Sequence, residues 1–209
     1  MKGIRVAARS AFDIERYAYA VRRVLLPDTT DNDPIDGSRL FNFVLEERGP
    51  GLVRGATVQV NVEELPRSIE AYTQFISDAD GYRITLSERT CRRLENGESR
   101  ELFTLCHEIG HLCLHGATLK GLGQLPHREL MLARGQPTHK IFRDSEWQAD
   151  RFAAAFLMPA PGLERLRASG RLNEDEVASR YLTSYEAAGY RINDFNAKGE
   201  LLLRAWGKS

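Results

Sequence analysis

From Ser10 onward the apolar residues Ile14, Ala18, Val21 and Leu25 recur at steps of three and four, which places them on one face of an α-helix. Ser10 and Asp13 stand at its start in capping-box spacing, and Pro27 ends it. A polar run over residues 28–34 leads to a second helical stretch over 36–47, with Leu40, Phe41, Val44 and Leu45 inward and Gly49-Pro50-Gly51 as its stop. Beyond Arg54 the period falls to two. Val58, Val60 and Val62 share one side of a strand, while Thr57, Gln59 and Asn61 share the other. Two more extended runs, near 69–77 and over 82–86, flank Asp78-Ala79-Asp80-Gly81, which reads as a hairpin turn, so the pattern predicts a small antiparallel sheet.

The helical period returns over 87–96, with Arg89, Arg92 and Arg93 expected on a solvated face. After an Asn96-Gly97 turn, Leu102, Leu105, Ile109 and Leu112 form the apolar stripe of another helix, and Gly116 reads as its stop. Residues 116–143 are broken by Gly121, Gly123, Pro126, Gly135 and Pro137 and read as an inserted loop. Over 144–159, Asp144 or Ser145 caps a helix whose apolar face is Ala149, Phe152, Ala153, Phe156 and Leu157, and Pro159 closes it. Two short helices are expected over 173–193, turning at Leu182-Thr183-Ser184, with Leu201-Leu202-Leu203 and Trp206 packing the end down. The class is α+β. Three parts are expected: a helical segment over 1–53 packed on the core, a core over 54–162, and a helical segment over 163–209.

Chemistry enters with His107-Glu108-Ile109-Gly110-His111. One helical turn separates the two histidines, so both imidazoles leave the same face and can close on one Zn²⁺ ion. Glu108 lies too far round the helix to be an easy ligand, but it is placed to take a proton from a metal-bound water. A catalytic zinc site takes three protein ligands and keeps a fourth position for water, so a further donor is needed. Glu146, in the first turn of the later helix, is the candidate; Asp150, one turn on, can accept the free ring N–H of a ligating histidine. His127 and His139 in the inserted loop are candidates for holding an oxyanion or shaping a substrate cleft. The strand ending at Leu86, with Tyr82 and Ile84, is the candidate for gripping an extended substrate by main-chain pairing. His115, one turn beyond His111, is expected to play a structural part.

Composition narrows the partners. The chain of 209 residues carries 29 Lys plus Arg against 29 Asp plus Glu, so no overall basic charge recommends nucleic acid. No apolar run is long enough to span a bilayer, and the first residues lack the apolar core of a signal peptide, so a cytoplasmic protein without a membrane partner is expected. Three cysteines, Cys91, Cys106 and Cys113, exclude a full disulfide framework, and the two on the metal helix are expected to pack as small hydrophobes.

The two stretches 107–111 and 146–159 together resemble the ImmA/IrrE-type zinc metallopeptidases, which pair an H-E-h-G-H helix with a later E-x-x-A-N/D-x-F-A-x-x-h-L-M-P segment. The run Arg100 to Leu105 is similar to the family's approach to its metal helix, and the resemblance spans about residues 55 to 195. It implies a zincin-like peptidase core, with the small antiparallel sheet against the metal helix. It also implies one catalytic Zn²⁺ on His107, His111 and Glu146, with Glu108 as general base. Asp150 stands where the family more often has asparagine. The implied activity is that of an endopeptidase with a narrow regulatory target, typically a helix-turn-helix repressor cut to release stress-response or mobile-element genes. The comparable tail in relatives resembles a helix-turn-helix, but the mixed charge of this tail argues against direct DNA binding. A regulatory module that keeps the fold and only binds a repressor or DNA is the rival reading; the intact Glu108 argues against it.

Overall fold

A computed structural model describes residues 3–53, 55–123 and 140–207. The first helix, α1 (Ala11–Leu25), begins at the expected capping box, where the Ser10 hydroxyl accepts from the Asp13 N–H and the Asp13 carboxylate accepts from the Ser10 N–H. Its stripe of Ile14, Ala18, Val21 and Leu25 is buried. The second helical stretch is three pieces in one run: α2 (Gly37–Arg39), a π-helical turn (Leu40–Val44) and α3 (Leu45–Arg48). Leu40, Phe41, Val44 and Leu45 all face inward, as the spacing predicted.

Strands β1 (Thr57–Glu63), β2 (Ala71–Ile76) and β3 (Gly81–Ser87) form one sheet in the order β1-β3-β2. The β2–β3 hairpin is antiparallel, with Thr73 opposite Ile84. The sheet is nevertheless mixed and not antiparallel throughout, because β1 pairs with β3 in parallel, Val60 opposite Ile84. The link over 64–70 reverses the chain but leaves room for one strand, and β3 fills it. Arg89 holds that link in place. Its guanidinium donates to the carbonyls of Leu65, Pro66, Arg67 and Ile69, so this arginine is a staple and not part of the solvated face expected for it.

The order of the strands corrects a second expectation. The strand ending at Leu86 is central, both of its backbone edges are taken, and Tyr82 and Ile84 are 7% and 0% exposed. Among the described residues the open edge beside the next long helix belongs to β2.

After α4 (Glu88–Glu95) comes that long helix, α5 (Ser99–Gly123), which runs past Gly116 instead of stopping there. A Cβ at Gly116 would lie 3.2 Å from the Tyr82 hydroxyl oxygen, so the glycine makes room for a side chain of β3 inside a continuing helix. The part expected to be an inserted loop therefore begins with two further helical turns. His127 and His139 lie outside the described residues. Then follow α6 (Ser145–Leu157), α7 (Ala160–Ala168), α8 (Glu174–Tyr181) and α9 (Tyr185–Ala205). Leu182, at φ +53°, makes the left-handed turn between α8 and α9. Ile192, Phe195, Leu202 and Trp206 join residues of α1, α5 and α6 in one buried apolar cluster. Among the described residues no helix is long and apolar enough to cross a membrane.

Candidate metal centre

Helices α5 and α6 pack closely because Gly110 carries no side chain. A Cβ there would stand 3.1 Å from Phe152 Cδ1, 3.2 Å from the Ala149 Cα and 3.3 Å from the Ala149 carbonyl oxygen. The glycine between the two histidines thus lets the backbone of α6 reach the face of α5 that carries His107 and His111.

The start of α6 is held from both sides. Asp144 caps it, its Oδ1 accepting from the N–H groups of Glu146 at 3.0 Å and Trp147 at 3.1 Å. The chain's first residues bind the same turn: Gly3 donates to Asp144 Oδ2, the Ile4 N–H to Ser145 Oγ, and the Ser145 N–H to the Ile4 carbonyl. Glu146, the first acidic residue after the cap, is positioned by that double anchorage.

His107, His111 and Glu146 converge. The two Nε2 atoms lie 2.9 Å apart, and each is 3.4 Å from one Glu146 carboxylate oxygen. Ligands about 2 Å from a common centre in a tetrahedral arrangement lie roughly 3.3 Å apart, so two imidazoles and a carboxylate at these separations suit a metal ion of the zinc type. They are a group of the described residues able to hold one. Each imidazole is backed through its other nitrogen. His107 Nδ1 is 2.8 Å from Asp150 Oδ1, and His111 Nδ1 is 3.1 Å from His115 Nδ1. His115 in turn sets its Nε2 3.1 Å from Gln148 Oε1.

The charges follow from this crowding. Burial works against a charged His107, but the hydrogen bonds to Asp150 and Glu146 outweigh it and carry its pKa up to about 10. Burial and the neighbouring His107 charge push His111 down to about 3. Burial opposes the Glu146 carboxylate as well, yet the bond to His107 and the charges of both histidines hold it down to about 2. Burial takes His115 down to about 4 despite the Gln148 bond, which keeps that ring neutral. A metal ion at these donors would have to displace the proton of His107, because a ligating imidazole must be neutral.

Glu108, 7% exposed, stands beside the cluster. Its Oε2 accepts from the Thr73 hydroxyl at 2.7 Å, and that hydroxyl also lies 3.1 Å from the Glu108 carbonyl oxygen. Burial raises its carboxyl above the usual carboxylate range, against the pull of His107 and Thr73. The contact joins α5 to β2, the sheet's open edge. Nothing in the local pattern around Thr73 marks it, since a threonine in an alternating strand is commonplace. The cysteines of α5 take no part: Cys106 is buried in the core with its thiol pushed far up, and burial raises Cys113 to about 12.

The sequence from within β1 to within α9, residues 60–193, matches a family model, that of the peptidase M78 family, described as the IrrE N-terminal-like domain. The chain belongs to that family. The M78 match takes in all three converging donors and Glu108, so membership of a metallopeptidase family and a cluster able to hold a metal ion meet at the same residues. No curated protein sequence matches the chain. Among solved structures it is similar to a Mycobacterium tuberculosis transcriptional regulator, at 16% identity and a TM-score of 0.46; the match covers 88% of this chain and 51% of that one. The chain thus spans about half the length of that structure.

Proposed function

We propose that the protein is a zinc-dependent endopeptidase. The observation that carries this reading is Glu108, a buried carboxylate beside the donor cluster, held by Thr73 and raised in pKa by its burial. A site that only stabilises structure needs no such base and is normally closed by four protein ligands. His107, His111 and Glu146 would hold the ion, which when bound supplies Lewis acidity and lowers the pKa of a coordinated water. Glu108 takes the proton of the attacking water and passes it to the leaving amine, a task for which a pKa shifted towards neutrality is suited. Thr73 keeps that carboxylate in one orientation.

An extended polypeptide pairing with the open edge of β2 would run past Thr73 and so past Glu108. Asp150, the partner of His107, borders a cavity of about 580 Å³ walled by Ile14, Phe103, Trp147, Ala154 and Tyr190. Its volume and apolar walls suit a large apolar side chain of the bound polypeptide. The family resemblance supports a helix-turn-helix repressor as the substrate and the cytoplasm as the place of action, with release of stress-response or mobile-element genes as the result.

Co-expression with helix-turn-helix repressors from the same genome tests this. The wild type shortens one of them in a metal-dependent way. Glu108→Gln keeps its zinc and loses about 10²–10⁴-fold in cleavage rate, the usual contribution of a positioned base. Full biological function in a Glu108→Gln strain would instead mark a module that binds a repressor or DNA without cutting it.

A further inference from the structure

We infer that His115 and Gln148 are positioning residues that decide which ring nitrogen of His111 carries its proton. The inference rests on the reading of His111 as a metal ligand and concerns how that ligand is prepared.

The direction of every link follows from the far end. Gln148 Nε2 lies 2.8 Å from the Ala7 carbonyl oxygen and 2.9 Å from that of Phe142. Carbonyl oxygens only accept, so the amide NH₂ must face them, and Gln148 Oε1 is what faces His115. That oxygen also only accepts. His115 Nε2, 3.1 Å away, therefore carries a hydrogen and donates it. In a neutral imidazole the other nitrogen is then a bare lone pair, and His115 Nδ1 points at His111 Nδ1 across 3.1 Å. His111 must put its hydrogen on Nδ1. Its Nε2 is left as a lone pair directed at His107 and Glu146, where a metal would sit.

The two ligands are thus prepared by different means. His107 gives its Nδ1 hydrogen to the carboxylate of Asp150, a side chain largely open to solvent. His111 gives its hydrogen to a buried, uncharged chain that ends on two backbone carbonyls. That chain is complete only when α5, α6, the turn at Ile141–Arg143 and the N-terminal segment are assembled together. His115, which the motif spacing leaves as a structural histidine, acquires a directed task, and Gln148 fixes the direction.

The experiment combines nitrogen-15 and proton spectra of the histidine rings in the metal-free full chain with Zn²⁺ affinity measured by competition against a chromophoric chelator. His115→Phe keeps a flat ring of similar size but no acceptor; His115→Asn sets an amide oxygen close to the old Nδ1 position. In the wild type, His111 is expected to carry its hydrogen on Nδ1. In His115→Phe that preference is lost and Zn²⁺ affinity falls about 10- to 100-fold, the usual effect of removing a ligand's supporting partner. His115→Asn restores most of both. A wild-type His111 protonated on Nε2 overturns the inference. So does a His115→Phe protein that binds Zn²⁺ like the wild type, or a His115→Asn protein as impaired as His115→Phe, which would show a purely steric role. If His115→Phe does not fold, the wild-type tautomer and the His115→Asn affinity still decide. A wild type that shows the expected tautomer but binds no Zn²⁺ would refute the metal-site reading while leaving the hydrogen-bond chain standing.

Discussion

Two clusters of ionisable side chains are built on opposite plans, one with Glu15 and Arg191 in the wall of the cavity and the other linked to that wall through Asp150, the partner of His107. On one side, Glu15 and Arg191, 2% and 3% exposed, form a two-pronged pair at 2.6 and 3.0 Å. Trp206 Nε1 adds a third bond to the carboxylate at 2.8 Å, and Arg191 Nε donates to the Met158 carbonyl. Donors and acceptors alternate. On the other side, His107, His111 and Glu146 bring together atoms whose common property is a lone pair, and a proton on His107 is what relieves them. A saturated cluster ties α1, α6 and α9 to one another and has nothing left to offer a ligand. A convergent set of acceptors holds together poorly by itself and well around a cation. The difference separates a self-satisfied cluster from one suited to a cation within one molecule, without reference to how buried either group is.

The comparison can be broken at either end, and the largest effect is expected on the saturated side. Arg191→Ala strands a buried carboxylate and should cost about 3–5 kcal/mol in unfolding experiments, with Zn²⁺ affinity unchanged. A fall in metal affinity matching the loss of stability would merge the two clusters into one unit and defeat the distinction. On the convergent side, Zn²⁺ at about 1,000 times its dissociation constant should add about 4 kcal/mol to wild-type stability. A thermal melt would show that gain as a rise of roughly 8–16 °C. Glu146→Ala should melt without this gain, and an equal rise in both proteins would mean that the ion sits elsewhere.

Smaller effects refine the picture. Asp150→Ala should weaken Zn²⁺ binding about tenfold or more in chelator competition, whereas Asp150→Asn, which keeps an acceptor for His107 Nδ1–H, should lose much less. Equal losses would make the charge of Asp150, and not its hydrogen bond, the operative feature. Smallest is the effect of filling the cavity that Arg191 and Asp150 border. Ala154→Trp should leave Zn²⁺ affinity alone and shift peptide cleavage about tenfold from large apolar residues towards small ones, as read from a peptide mixture by mass spectrometry.

What the sequence disclosed was what repeats locally. The capping box at Ser10 and the apolar stripe of α1 are written within sixteen residues, and both are present as expected. That His107, His111 and Glu146 come together was legible because the motif suggested a third donor, and the candidate helix carries its own cap and stop. Features that depend on what packs against what were not legible. Gly116 looks like a helix terminus until Tyr82 is seen to occupy the space beside it. Arg89 looks solvated until the 64–70 link wraps around it, and the strand ending at Leu86 looks like an edge until β1 pairs on its far side. The saturated pair joins residues 176 positions apart, with no local spacing to announce it. Gln148 was hidden for a similar reason, since its meaning lies in two carbonyls on other segments.

X-ray absorption at the zinc edge of the purified protein tests the central claim most directly. The arrangement of His107, His111 and Glu146 predicts one ion per chain, with two imidazole nitrogens and oxygen donors at about 2.0–2.2 Å and no sulfur. A shell of sulfur at about 2.3 Å, or an unchanged spectrum and stoichiometry in Glu146→Ala, would contradict it.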